Sequence, residues 1–386
     1  MSLPDCTPRT ELSLKLVQGI AQLDPAAWDA CVGPDQPFLS HAFLSALEES
    51  GSATAETGWM PLHAVLEAGG NMLACAPMYL KSHSYGEYVF DWGWADAYER
   101  AGGRYYPKLQ VSVPFTPVPG PRLLVREGAR AARPALVEGL IGAARQLGVS
   151  SLHVTFCRED EARELGAAGL LQRQGTQYHW RNRGYRDFQD FLDGLKSSRR
   201  KTIRKERARV AEQGVEIETL RGAEITPEIW DIFHPFYLAT VDKRWGNAYL
   251  TKRFFARLSA SLPERVVLVM ARHGGRYVAG ALNLLGADTL YGRIWGCRQE
   301  FEFLHFEACY YAAIDFAIRN GLARVEAGAQ GKHKLQRGYE PVPTHSAHWI
   351  RDPGLRAAVE RFLVQERRHV AAEAEELREL LPYRQA

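Results

Sequence analysis

Apolar and polar positions alternate with a changing period along this chain, and the changes divide it into elements. P-L-H-A-V-L-E-A-G-G-N-M-L-A-C-A-P-M-Y-L (61–80) reads as two strands joined at Gly69-Gly70. V-V-L-V-M-A-R-H-G-G-R-Y-V-A-G-A-L-N-L-L (266–285) reads as two strands joined at Gly274-Gly275. Paired glycines between apolar strands supply the positive φ of a tight hairpin. Each hairpin leads to an aromatic segment that reads as a strand, Y-V-F-D-W-G-W (88–94) and L-Y-G-R-I-W-G (290–296). Each half then carries a helix stopped by glycine and followed by a strand: 136–148 before 151–156, and 308–321 before 322–328. Four elements recurring in one order predict an internal duplication. The fold class is α/β (α+β), with mixed, mostly antiparallel sheets and flanking helices. No G-x-G-x-x-G follows a first strand, so a doubly wound dinucleotide fold is excluded.

Between the halves, Asp187 is an N-cap ahead of Phe188, Phe191, Leu192 and Leu195, the i, i+3, i+4, i+7 spacing of a buried helix face. Ile203 and Val210 continue the stripe, predicting a basic helix over 187–213. A long, charged amphipathic helix is expected at 354–381.

At 386 residues the chain exceeds what one core usually supports, and two domains are expected, 1–165 and 166–386. Residues 1–150 hold 11 Lys/Arg against 15 Asp/Glu, and 151–386 hold 37 against 30. The second half therefore favours anions. The six cysteines are dispersed and mostly among apolar neighbours, fitting a reducing compartment. With no charged n-region before an apolar core and no run of about 20 apolar residues, the expectation is a cytoplasmic chain without membrane insertion.

Chargeable side chains concentrate between Tyr291 and Pro341, among small and aromatic residues. Glu326 ends a strand beside Ala327, Gly328 and Ala329, where an interior carboxyl would have a raised pKa suited to a general base. An ion pair with Arg324 or Arg337 is the structural alternative. Lys334 and Arg337, bracketed by Gly331 and Gly338, can each hold an anionic group. Gln330, His333 and Tyr339 belong to the same loop, and His333 can accept a proton near neutrality or simply pack. His305 and Cys309 share a helix face without a second ligand pair, so no metal is expected. The helix start at 304–307 could offer free amides, and Glu307 points elsewhere on that helix. Trp92 and Trp94 correspond to Trp295 in the duplicated aromatic segments; with Asp91 and Arg293 they are either cleft lining or core. The run Arg199–Arg209 holds seven Lys/Arg and one acid. Arg200, Arg204 and Arg207 would bind phosphate there, unless the run is a solvated face.

Q-Y-H-W-R-N-R-G-Y-R-D-F, R-R-K-T-I-R-K-E-R, L-H-F-E-A-C-Y-Y and E-A-G-A-Q-G-K-H-K-L-Q-R-G-Y-E-P together resemble the FemAB-like family of the GNAT-fold and Fem-transferase group. The likeness extends from about Trp28 to Glu366. It implies tandem GNAT-like domains facing a shared cleft, and transfer of an acyl or aminoacyl group to an amine. The co-substrate would be acyl-CoA or aminoacyl-tRNA. The acceptor would be a small-molecule or peptide amine, such as one on a peptidoglycan precursor, with tRNA as a further partner. His333-Lys334 stands where Fem transferases carry Phe-Lys, whose lysine lies in the substrate channel. The R/Q-x-x-G-x-G/A spacing of CoA-dependent GNAT proteins occurs once, at Arg163–Ala168, and does not read there as a phosphate-holding loop. The cleft residues so implied are Arg293, His305, Glu307, Glu326, Lys334 and Arg337. The competing reading is a non-catalytic module binding a peptidoglycan precursor or peptide, which needs anion and aromatic contacts but no base.

Overall fold

The computed structural model describes residues 11–244, 248–328 and 331–384. Its strands are β1 (Leu12–Val17), β2 (Trp59–Pro61), β3 (His63–Ala68), β4 (Asn71–Ala76), β5 (Met78–Lys81), β6 (Lys108–Val111), β7 (Leu124–Val125), β8 (Ser151–Cys157), β9 (Leu171–Arg181), β10 (Val215–Arg221), β11 (Val266–His273), β12 (Arg276–Leu285), β13 (Thr289–Cys297), β14 (Arg324–Glu326) and β15 (Glu340–Ile350). Among the described residues, β1-β3-β4-β7 form one sheet. A second, eleven-stranded sheet runs β10-β11-β12-β13-β14-β9-β15-β8-β6-β5-β2.

Both hairpins form as the glycine pairs predict. β3–β4 turns at Gly69-Gly70 (φ 57° and 80°) and β11–β12 at Gly274-Gly275 (φ 55° and 76°). The duplication continues beyond them. In the first half β6 and β8 run parallel, with the helix Arg133–Gln146 between them in sequence. In the second, β13 and β14 run parallel across a helical segment from Leu304 to Arg319. The other neighbours in the large sheet are antiparallel, so the sheet is mixed and mostly antiparallel, as expected.

The last strands of the two halves are exchanged. β9 follows the first-half elements in sequence yet pairs with β14, and β15 follows the second-half elements yet pairs with β8. They also pair with each other, from Glu340↔His179 to His348↔Leu171, at the centre of the sheet. The hydrophobic core is shared in the same way. Trp28, Phe43 and Leu47 belong to one buried cluster with Phe233, Phe254 and Leu268.

Two local expectations are corrected. The aromatic segment 88–94 is not a strand: a loop leads into the helix Trp92–Arg100. Glu87 and Asp91 both accept bonds from the buried Lys108 ammonium, which draws this segment off the sheet. The basic helix divides into Phe188–Asp193 and Ser197–Glu212. Asp187 does cap the first piece, accepting from the Asp190 N–H at 2.7 Å. Gly194 ends that piece, and Leu195 forms a bridge to Tyr383. The C-terminal helix spans Pro353–Glu379.

Among the described residues, no helix is long and apolar enough to cross a membrane. Among the described residues, too, no group of three or more His, Cys, Asp or Glu is placed to hold a metal ion.

Gly296 shows how tightly the helix Pro227–Arg244 lies on β13. A Cβ at this position would stand 2.0 Å from the Phe236 carbonyl oxygen, which is backbone and cannot rotate away. Gly296→Ala should therefore cost about 1–3 kcal/mol by overpacking, read as a lowered urea midpoint.

Candidate active site

A cleft of about 940 Å³ opens where β13 passes the end of β14. Their parallel pairing stops at Tyr291↔Glu326. Beyond it, Gly292, Arg293, Ile294 and Trp295 form one wall, and Ala327, Gly328, Gly331, His333 and Lys334 form another. The first half contributes Phe38, Phe43, Leu47, Tyr88, Phe90 and Phe115. Residues of both halves thus line one cavity.

The 3-10 turn Lys332–Arg337 brings Lys334 to this wall. The side chain is 4% exposed, and its Nζ donates to the Ala327 carbonyl and, at 3.1 Å, to that of Gly328. These carbonyls follow β14, so the lysine closes the mouth of the diverging strands. Burial lowers its pKa to about 8. His333 also faces the cleft, with Nε2 3.0 Å from the Tyr310 hydroxyl. Its pKa is lowered by burial and by Arg337 and Lys334. His305 lies on the same side, edge-on to Trp295 at 5.4 Å and 6.3 Å from the His333 ring.

Cys309 and Tyr310 reach the cleft from a π-helical segment, Glu307–Tyr311. Such widened turns recur at functional sites. Its ends are clamped to the helix Ser197–Glu212. Glu307 is buried and receives bonds of 3.0 and 3.1 Å from Arg207. The Tyr311 hydroxyl donates to Glu206. The amides expected to be free at the helix start are largely occupied, because those of Leu304, Phe306 and Glu307 donate to Phe301 or Phe303 carbonyls.

Glu326 sits one residue behind the wall formed by Ala327 and Gly328. Its Oε1 is 3.7 Å from His179 Nδ1, and burial raises the carboxyl to about 8. Arg293 reaches across to the first half, donating to the Phe115 carbonyl at 2.8 Å. Arg337 is held away from the cavity. Its guanidinium bonds both oxygens of buried Glu206 at 2.7 and 2.8 Å and covers the Phe306 ring at 3.5 Å. Tyr339 is fully buried against Tyr310. Gln330 lies outside the described residues.

The first-half candidates form a separate, buried network. Asp91 accepts from Lys108 and, at 2.7 Å, from the Tyr105 hydroxyl. Burial favours its neutral form, but the Lys108 ammonium outweighs this and keeps the carboxyl well below the usual range. Trp94 stacks on His153, and Trp92 packs edge-on to Tyr85 at 4.7 Å. Asp91, Trp92 and Trp94 are thus not brought together with Trp295. On the basic helix, Arg200 pairs with Asp193 at 3.3 Å and Arg204 donates to Gln189 at 2.9 Å. Arg207 is committed to Glu307.

Phe38, Phe43, Phe115, Tyr249 and Phe254 escape sequence reasoning altogether. They come from separate segments, each of which reads as ordinary core.

This chain belongs to the FemAB-like family, described as peptidoglycan biosynthesis/recognition, whose model matches residues 19–385. No curated protein matches its sequence. In structure it is similar to FemX, with a TM-score of 0.56 and 12% identity, over 88% of this chain and 98% of that one. It is also similar to L-PGS from Bacillus licheniformis, with a TM-score of 0.51 and 10% identity, over 83% of this chain and 96% of that one. At these identities the likeness shows the fold.

Glu326 gives the site a pH signature. Its folded pKa of about 8 lies above the ordinary 4.5, so the folded chain binds the extra proton. That contribution is fully present below pH 4.5 and is lost as pH rises through 8. Against a Glu326→Gln variant, which stays neutral throughout, the wild type should lose on the order of a few kcal/mol across that window. Urea melts of both proteins at stepped pH measure it, and parallel profiles would show that Glu326 does not titrate this way.

Proposed function

We propose that this protein is an N-acyltransferase that moves an acyl or aminoacyl group onto an amine within the 940 Å³ cleft. The observation carrying the reading is the buried lysine, Lys334, on the wall of a cavity lined by both halves. Membership of a peptidoglycan biosynthesis/recognition family supports a peptide amine of a wall precursor as acceptor. The donor is an acyl thioester or an aminoacyl ester.

In the reaction, the acceptor nitrogen adds to the donor's carbonyl carbon. A C–N bond forms, and the C–S or C–O bond to the carrier breaks. The proton lost by nitrogen leaves with the departing thiol or alcohol. Lys334, as ammonium, donates to the oxygen that becomes negative at the tetrahedral stage. A pKa of about 8 also allows it to exchange protons near neutrality. His305 takes the amine proton in this reading. Glu326, largely neutral at pH 7, leaves the Arg293 charge uncompensated toward an anionic group of the substrate. In this reading the two units of the chain, 1–165 and 166–386, both line the cleft.

Lys334→Ala should reduce single-turnover acyl transfer by about 10²–10³-fold, the usual loss for one oxyanion donor. Lys334→Arg should restore little, because a planar fork cannot replace a compact ammonium bonded to two carbonyls. The assay takes thioester and aminoacyl-tRNA donors in parallel, beside a thermal melt. A folded Lys334→Ala protein with unchanged turnover would remove the lysine from the reaction.

A further inference from the structure

The cleft is chemically two-ended. At one end Trp295 stands against His305, close to His333. At the other, Tyr291 packs edge-on to Phe38 at 5.1 Å. Gly292, Arg293 and Ile294, which lie between these contacts on β13, line the cleft. The far end is an arm of aromatic and aliphatic faces. Phe38 meets Phe43 at 5.2 Å, Phe43 meets Phe254 at 5.8 Å, and Leu47 and Leu250 complete the lining. The side chains of Phe38, Phe43, Leu47, Leu250 and Phe254 carry no polar atom, and the Tyr237 hydroxyl beside them accepts from the Leu250 N–H at 3.0 Å.

We propose that this arm holds the apolar chain of the acyl donor, so that the group transferred is a medium- or long-chain fatty acyl group carried as a thioester. The inference rests on the acyl-transfer reading and selects its substrate class. A peptide or sugar in the arm would leave its polar groups unbonded at a cost of kilocalories each. An alkyl chain gains from every methylene it buries. An amino acid small enough to react beside Lys334 would leave this apolar lining without contacts. In the step itself, the amine nitrogen bonds to the thioester carbonyl carbon as the C–S bond breaks. The carrier thiol leaves with the proton from nitrogen, and the alkyl chain stays seated in the arm.

The test titrates the full chain by calorimetry with acetyl, octanoyl, lauroyl and palmitoyl thioesters of N-acetylcysteamine. Affinity should rise about fourfold per added methylene until the arm is full, then level off. Thr240→Trp, which fills the arm from the half-buried face of its helix, should move the plateau to shorter chains. Phe43→Ala should move it to longer ones, with Leu47→Ala as the substitute if Phe43→Ala does not fold. A folding defect weakens all chains alike and cannot shift the plateau in opposite directions. Affinity independent of chain length, or a plateau unmoved by either variant, overturns the inference. If aminoacyl or acetyl groups are nevertheless transferred, the acyl-transfer reading survives without the arm. A chain-length plateau without transfer to any amine supports the arm and refutes the reading.

Discussion

The central pairing of β9 with β15 is the constraint on which this architecture depends. Each strand closes the sheet of the half that precedes the other, and the two join edge to edge along a register from Glu340↔His179 to His348↔Leu171. Shifting β9 by one residue against β15 would turn every side chain of β9 to the opposite face. It would exchange the buried Trp180 and the buried His179 between the two covered faces of the sheet. Loss of the exchange would also leave β14 and β8 with unpaired edges. The cleft inherits its geometry from this junction. The wall at Ala327 and Gly328 is fixed by backbone bonds to Tyr178 of β9, and Gln177 of β9 holds the Pro117 carbonyl beside Phe115.

A second set of constraints comes from buried charge. Glu206 and Glu307 are both buried, and each is answered by arginine, Arg337 for one and Arg207 for the other. A buried pair contributes modestly to net stability, but removing one partner strands a desolvated charge. Such pairs therefore specify position. Together with the Tyr311 hydroxyl on Glu206, they fix the π-helical segment at both ends and aim Cys309 and Tyr310 into the cleft. The basic run 199–209 is accordingly in part a scaffold for this wall. Lys108 has a comparable place in the first half, gathering Ser84, Glu87 and Asp91 into one buried cluster beneath the loop that carries Tyr88 and Phe90 to the rim.

Local patterns in the sequence determined much of the frame. The Gly-Gly pairs, the Asp187 cap, the long C-terminal helix and the ordered recurrence of hairpin, helix and strand all follow from φ preferences and periodicity between near neighbours. The concentration of chargeable residues from Glu326 to Arg337 was legible for the same reason, since one short segment carries them. The aromatic segment 88–94 was misread because its fate depends on Lys108, whose ammonium competes with the sheet for Glu87 and Asp91.

Tertiary structure alone decided which of those charges meets the cavity. Lys334 and Arg337 sit three residues apart on one turn and look equivalent in sequence. Arg337 is claimed by Glu206, 131 residues distant, while Lys334 caps the carbonyls at the end of β14. The aromatic arm could not be read at all, because Phe38 and Phe43 meet Leu250 and Phe254 as one lining only when two segments about 200 residues apart converge. Turns and helix faces are set by residues a few positions apart. Ion pairs and cavity walls are set by partners that the chain brings together only when the sheet closes, and no local pattern encodes them.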